Sequence, residues 1–266
     1  MKNRKFTPYV TYTVLGLCLV VHLLIQFSGF DNLNEAAILY GAYYKAFILA
    51  GEWWRFLTAG FVHVQVLHLF VNGMALSTLG SAMEKGLGHL KYCAVLFVSV
   101  IGGCAFLFAA QGNQVAVGIS GGLYGLMAGY TYLIIKGGGW KNPVVKSALT
   151  RTYLINLLIN FMPGVSVSGH IGGFLTGLFL TAVLSPGEKS TKFHYIAAAV
   201  LYCIFLGIFM SRSAYISQDQ EYYMTDYRVL NAEKQMGFGA HAEKVAGRLD
   251  ELYNNDGYLT EALKGG

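Results

Sequence analysis

Five stretches of this chain, 6–30, 56–83, 92–135, 152–187 and 193–211, contain no Asp, Glu, Lys or Arg. A membrane's hydrocarbon core, about 30 Å thick, is crossed by roughly 20 apolar residues in a helix. Two of the stretches are too long for one crossing. The run 92–135 breaks at Gln111-Gly112-Asn113-Gln114, and 152–187 breaks at Met162-Pro163-Gly164, where proline ends a helix. Seven spans are therefore expected, at about 8–28, 60–83, 91–110, 116–135, 146–161, 168–185 and 194–211. The fifth must recruit Lys146 and Arg151, whose long side chains can snorkel. Composition agrees, with 55% hydrophobic residues and only 12% charged, against roughly 25% charged in soluble domains. That excludes a disordered chain and weighs against a soluble globular one. Cys18, Cys93, Cys104 and Cys203 form no CxxC pair, so neither a disulfide framework nor a zinc site is signalled.

Basic residues set the expected orientation. With the N-terminus inside, the inner segments hold Lys2, Arg4, Lys5, Lys85, Lys91, Lys136, Lys141, Lys146, Arg151, Lys189 and Lys192, while the short outer connections 111–115 and 162–167 hold no charge. The positive-inside rule then places the N-terminus in the cytoplasm and the C-terminus outside. The basic net charge of +5 is explained by these loops, and no nucleic-acid partner is implied. The N-terminal run is too long for a cleavable signal, and no organellar targeting segment is visible, so a bacterial plasma (inner) membrane is expected.

The first outer loop, about 29–59, carries Tyr40, Tyr43, Tyr44, Phe47, Trp53, Trp54 and Phe56. Such an aromatic segment is expected in the membrane interface. Beyond Ser211 the chain turns polar, with nine acidic and six basic residues over 212–266. Within it, 226–251 reads as a weakly amphipathic helix.

Polar groups inside a bilayer are costly, so each one is a functional candidate. In the second span His68 and Asn72 lie four apart and share a helix face. They could equally hydrogen-bond neighbouring helices. His63 is off that face and reads as structural. The fourth span opens Gly118-Ile119-Ser120-Gly121-Gly122-Leu123-Tyr124-Gly125. Its glycines fit close helix packing. The letters also fit G-x-S-x-G, but that elbow needs a strand–turn–helix in an α/β protein, so that reading fails here. The sixth span opens Ser168-Gly169-His170, with Gly173 and Gly177 one and two turns on. His170 alone reads as either a packing histidine or a base. Depth joins these residues. Spans two, four and six all run outside to inside, and Ser120, His170 and His68 lie roughly 4–12 Å beneath the outer surface at about 1.5 Å per residue. A hydroxyl, an imidazole and a donor pair at one depth are the parts of acyl transfer.

These residues resemble the rhomboid family of intramembrane serine proteases. The resemblance runs through Trp54-Arg55, His68-x-x-x-Asn72, Glu84-Lys85, Gly118-x-Ser120-Gly121 and Gly169-His170-x-x-Gly173-x-x-x-Gly177, and covers about residues 8–185. It implies an all-α polytopic membrane protein with a six-helix rhomboid-like core over 1–190. An added transmembrane helix would occupy 191–211, and a polar, extracytoplasmic tail 212–266. It further implies a Ser–His dyad with no carboxylate: Ser120 as nucleophile and His170 as base. Tyr124 would pack on the base's ring, and Gly118 and Gly121 would flank the serine. His68, Asn72 and the Ser120 backbone N–H would stabilise the oxyanion. Substrates would be single-span or polytopic membrane proteins in the lipid bilayer, cut near the outer ends of their spans, with no cofactor and no metal.

Rival readings fail on specific residues. A zinc intramembrane protease needs His-Glu-x-x-His, which the chain lacks, and an aspartyl one needs aspartates inside spans. A transporter would usually show charged or broken helices at the midplane. A catalytically silent rhomboid-like binding or escort protein remains the alternative.

Overall fold

The computed structural model describes residues 6–109, 113, 115–185, 196, 198–200, 202–204, 206–207 and 220–265. Most of 191–211, where the seventh span is expected, lies outside the described residues, although 198–200 and 202–204 are helical. The chain divides into two compact units. One draws on Met1–Leu15, Val71–Ala110 and Ile119–Arg212, and the other on Gly16–Phe70, Gln111–Gly118 and Ser213–Gly266.

The helices are α1 (Tyr9–Gln26), α2 (Leu33–Leu39), α3 (Lys45–Leu49), α4 (Arg55–Thr58), α5 (Val66–Ala75), α6 (Ser81–Leu87), α7 (His89–Ala109), α8 (Ser120–Lys136), α9 (Pro143–Ile159) and α10 (Val167–Leu184). The tail adds α11 (Gln220–Glu233), α12 (Gly239–Tyr253) and α13 (Tyr258–Gly265). One π-turn, Leu76–Gly80, joins α5 to α6. Among the described residues four helices are long and apolar enough to cross a membrane: Tyr9–Gln26, Val66–Leu87, His89–Ala109 and Val167–Leu184. Helices α8 and α9 have 17 residues each.

The first unit is built on missing side chains. A Cβ on Gly173 would lie 2.0 Å from the Gly121 carbonyl oxygen, and one on Gly177 would lie 2.3 Å from that of Gly125. Helices α8 and α10 therefore meet backbone to backbone. Helix α7 joins them through Gly102 and Gly103, where a Cβ would strike Thr176 Oγ1 and the Gly169 carbonyl. Small residues drive such close packing between apolar helices, where lipid is as apolar as leucine. Leu154, Leu157 and Leu158 on α9 point outward from the protein. Glu84, fully buried, accepts hydrogen bonds from the backbone N–H groups of Val10 and Thr11 and from Thr11 Oγ1, fastening α1 to α6. Lys91 and Lys136 donate to the carbonyls of Leu184 and Ser185 at the end of α10, where cations complement the helix dipole.

The second unit unites the first loop with the tail. Ile38, Tyr44, Phe47 and Ala50 form one core with Val229, Leu230, Val245, Leu249, Tyr253 and Leu259. The aromatic loop thus divides its residues. Tyr43, Tyr44 and Phe47 are buried in protein, while Trp53 and Trp54 are 54% and 49% exposed. The expected tail helix is two helices hinged at Gly237, whose φ of +94° breaks the run. Strand β1 (Tyr43–Tyr44) pairs antiparallel with β2 (Val115–Ala116), Tyr43 opposite Ala116.

Two expected boundaries are corrected. The second span was expected from about 60, but helix begins at Val66; the fourth was expected from about 116, but begins at Ser120. Residues 115–116 are spent on the ladder, the Gly118 N–H donates to the Ala59 carbonyl at 2.9 Å, and Gly118 takes a φ of +107°. Neither pairing is visible in local periodicity.

Candidate active site

Ser120 is the first residue of α8 rather than a residue one turn inside it. The first N–H groups of a helix lack intrahelical acceptors and carry the positive end of the dipole. Gly118, with its positive φ, turns the chain sharply ahead of the serine, and Gly121 packs 3.6 Å from the Gly169 carbonyl when a Cβ is built on it. His170 sits in the first turn of α10, whose N-cap Ser166 accepts from the Gly169 N–H. The glycine contacts between α8 and α10 draw these two helix starts together. Ser120 Oγ lies 2.9 Å from His170 Nε2.

The tautomer of His170 follows from its neighbours. Its Nδ1 lies 2.6 Å from Asn160 Oδ1. The other end of that amide, Nδ2, donates to the Asn156 carbonyl at 3.1 Å and to Tyr124 Oη at 3.1 Å. A backbone carbonyl can only accept, so the amide's NH₂ must face it and Oδ1 must face the imidazole. His170 Nδ1 therefore carries the hydrogen, and Nε2 is left to accept the proton of Ser120. Tyr124 stacks on the imidazole, ring centroids 4.0 Å apart and planes 13° off parallel, and its hydroxyl donates to the Asn156 carbonyl. The ring so held is 6% exposed.

Ser120, His170 and Tyr124 are thus brought together, with Gly118 and Gly121 beside the serine. Asn72 is buried in the same unit as the dyad. His68, one turn earlier on α5, is half-buried in the second unit, and its ring meets that of His63 edge-on at 5.0 Å. His63 is fully buried there, and its carbonyl contacts His22 Nδ1 at 2.8 Å. Arg55 of the Trp-Arg pair is buried, ion-paired to Glu52 and donating to the carbonyls of Ile38 and Ala42. It organises the first loop. Asn160 escaped the sequence reading. The available signal was a polar residue near a span's end, one turn after Asn156, the same spacing as His68 and Asn72.

Comparison with known proteins identifies the family. The Rhomboid domain matches residues 50–187. Rhomboid protease GluP of Bacillus subtilis is 27% identical over 197 residues, covering 73% of this chain and 38% of that protein. RHOMBOID-like protein 5 of Arabidopsis thaliana is 34% identical over 148 residues, 54% of this chain and 48% of that one. Inactive RHOMBOID-like protein 8 of the same plant is 29% identical over 138 residues, 51% and 39%. The match spans less than half the length of each of these relatives. With the Rhomboid domain covering more than half of its residues, this integral membrane protein belongs to the rhomboid family.

Proposed function

We propose that the chain is an intramembrane serine endopeptidase that hydrolyses peptide bonds near the outer end of substrate transmembrane segments. The observation that carries this reading is the contact of Ser120 Oγ with His170 Nε2 at 2.9 Å, on a ring whose Nδ1 is committed to Asn160. Ser120 attacks the scissile carbonyl while His170 Nε2 takes its proton. The Nδ1–H of the resulting imidazolium stays hydrogen-bonded to Asn160 Oδ1. Collapse of the tetrahedral adduct breaks the C–N bond, and His170 returns the proton to the leaving amine. Water, deprotonated by the same nitrogen, then releases the acyl product from Ser120. The Ser120 N–H at the start of α8, Asn72 and His68 are the oxyanion donors in this scheme. The residues at the dyad supply the whole reaction without cofactor or metal.

The chain's organisation is proposed with it: a catalytic core over 1–190 with six spans, a seventh span at 191–211, and a tail at 212–266 on the same side as the first loop. The N-terminus is cytoplasmic and the C-terminus outside. The joint core of loop and tail supports their sharing one side. A bacterial plasma membrane is the proposed location, and membrane proteins are the proposed substrates. A relative named as inactive keeps one rival in view, a silent binding protein. Co-expression of a single-span reporter with the native chain, Ser120→Ala and His170→Ala separates the two. Cleavage lost in both variants at unchanged protein level is expected of the enzyme. Absence of cleavage by the native chain, or cleavage surviving Ser120→Ala, overturns it.

A further inference from the structure

Outside the dyad, the most unusual chemistry lies where the tail meets the first loop. Glu52, Glu233 and His241 converge so that one ligand atom from each lies within 4.8 Å of the others. They come from three places: the turn after α3, the last residue of α11 and the first turn of α12. The bend at Gly237 folds α12 back, which returns His241 to the side of Glu233. Glu52 is fixed from behind. Its Oε2 pairs with Arg55 Nε, and Arg55 Nη1 in turn holds the carbonyls of Ile38 and Ala42. That leaves Oε1 facing His241 Nε2 at 2.6 Å. Glu233 is the anomaly. Its side chain is only 8% exposed, yet Oε2 has no hydrogen-bond partner among the described residues. A carboxylate oxygen left unpaired in such a place is costly, and structures normally relieve it with a proton or a cation.

We propose that Glu52, Glu233 and His241 bind a divalent transition ion of the Zn²⁺ type at the seam between the first loop and the tail. Imidazole nitrogen with carboxylate oxygens suits such an ion. Bonds of about 2.0–2.2 Å in a tetrahedron put ligand atoms about 3.4 Å apart. The His241–Glu52 contact opens slightly to reach that, and Glu233 closes in. The metal replaces the proton that His241 Nε2 shares with Glu52. Arg55 is the nearest fixed cation, but its Nε is spent on the other oxygen of Glu52 and serves as the outer support that orients a ligand. His241 is partly exposed, which provides an entry path and room for water as the remaining ligand. The consequence is a cross-link. Metal pins α11 and α12 to a loop whose strand β1 pairs with β2, and β2 ends four residues ahead of Ser120.

The test uses the full chain in detergent, stripped of metal and titrated with Zn²⁺ against a chromophoric chelator, with Mg²⁺ as the hard-ion control. One equivalent of zinc is expected in preference to magnesium. Glu233→Gln and His241→Ala should each weaken it at least about tenfold, and Cys203→Ser should not. Zinc-edge absorption of the native protein reads the ligands without any variant, and should show imidazole and oxygen but no sulfur. Zinc binding untouched by both variants, a sulfur ligand, or no preference over magnesium overturns the site. In that case the cluster is an Arg–Glu–His chain closed by the contact of His241 Nε2 with Glu52 Oε1. Binding is read without proteolysis, so its failure is separate from failure of the protease reading.

Discussion

Asn160 offers the sharpest test of how the dyad is held. In Asn160→Ala the acceptor at 2.6 Å from His170 Nδ1 disappears. The imidazole is 6% exposed, so water reaches Nδ1 poorly. A buried donor left without its acceptor costs about 1–3 kcal/mol. The demand is greatest in the transition state, when the ring becomes an imidazolium. At 1.36 kcal/mol per tenfold, kcat should fall about 5- to 150-fold, well short of removing the base itself. The ring also loses the contact that selects its tautomer. KM should be nearly unchanged, because Asn160 holds the base and not the substrate. Two assays read this together: steady-state cleavage of a reporter peptide in detergent, and the rate at which a fluorophosphonate acylates Ser120. The second needs an activated serine but no extended substrate. Tyr124→Phe is the control. It keeps the stacked ring and removes only the hydroxyl that contacts Asn156 and Asn160, so its loss should be a fewfold at most. If Asn160→Ala acylates within twofold of the native rate, or loses rate only in proportion to unfolded protein, the tautomer argument fails.

Four further outcomes follow from packing and charge. Gly173→Ala places a Cβ 2.0 Å from the Gly121 carbonyl and must part α8 from α10; a loss of about 1–3 kcal/mol is expected, with a larger fall in activity because His170 lies one turn away. Gly86→Ala, which meets nothing within 4 Å, should be neutral within about 0.5 kcal/mol in the same thermal melt. Glu84→Ala strands the N–H groups of Val10 and Thr11 and should cost about 2–4 kcal/mol, read as a lowered midpoint without a change in the acylation rate of the folded protein. Burial raises the Asp226 carboxyl to about 7, against the bond that Tyr253 donates to Oδ2, which opposes the rise. The unfolded group ionises near 4, at about 3.9. Between those values the folded state holds the extra proton, so stability falls as pH rises from about 4 to about 7. Amide exchange across 220–265, corrected for its intrinsic rate, should accelerate from pH 5 to pH 8, and Asp226→Asn should flatten that slope. An unchanged slope would contradict the assignment to Asp226.

The helices and the pairing of Ser120 with His170 were legible because their signals are local. Charge-free runs mark helices wherever they end up, and Ser120 and His170 each stand in a glycine-rich stretch whose packing role also brings them together. The starts of α5 and α8 were misread because the non-helical backbone over 62–65 and the strand over 115–116 are held by partners far away in sequence. Asn160 looks like an ordinary polar residue before a proline turn until the imidazole it orients is placed. Loop and tail hid each other. Tyr44 and Phe47 are as apolar as any interfacial aromatics, and only Val229, Val245 and Leu249, some 180 to 200 residues later, distinguish burial in protein from contact with lipid. The triad of Glu52, Glu233 and His241 has no spacing for the same reason.

That separation also has a kinetic side. Arg228 with Glu35, His241 with Glu52, and Arg248 with the Ala50 carbonyl join residues 193, 189 and 198 positions apart. Contacts so distant in sequence contribute a very high contact order, and closing loops of that size costs chain entropy before any contact rewards it. During synthesis the hydrophobic side of the first loop must therefore wait, uncovered, until the last helices emerge. A chain stalled or clipped ahead of Gln220 would carry a first loop whose Ile38, Tyr44 and Phe47 have lost their partners. Such a chain offers apolar surface to quality-control proteases.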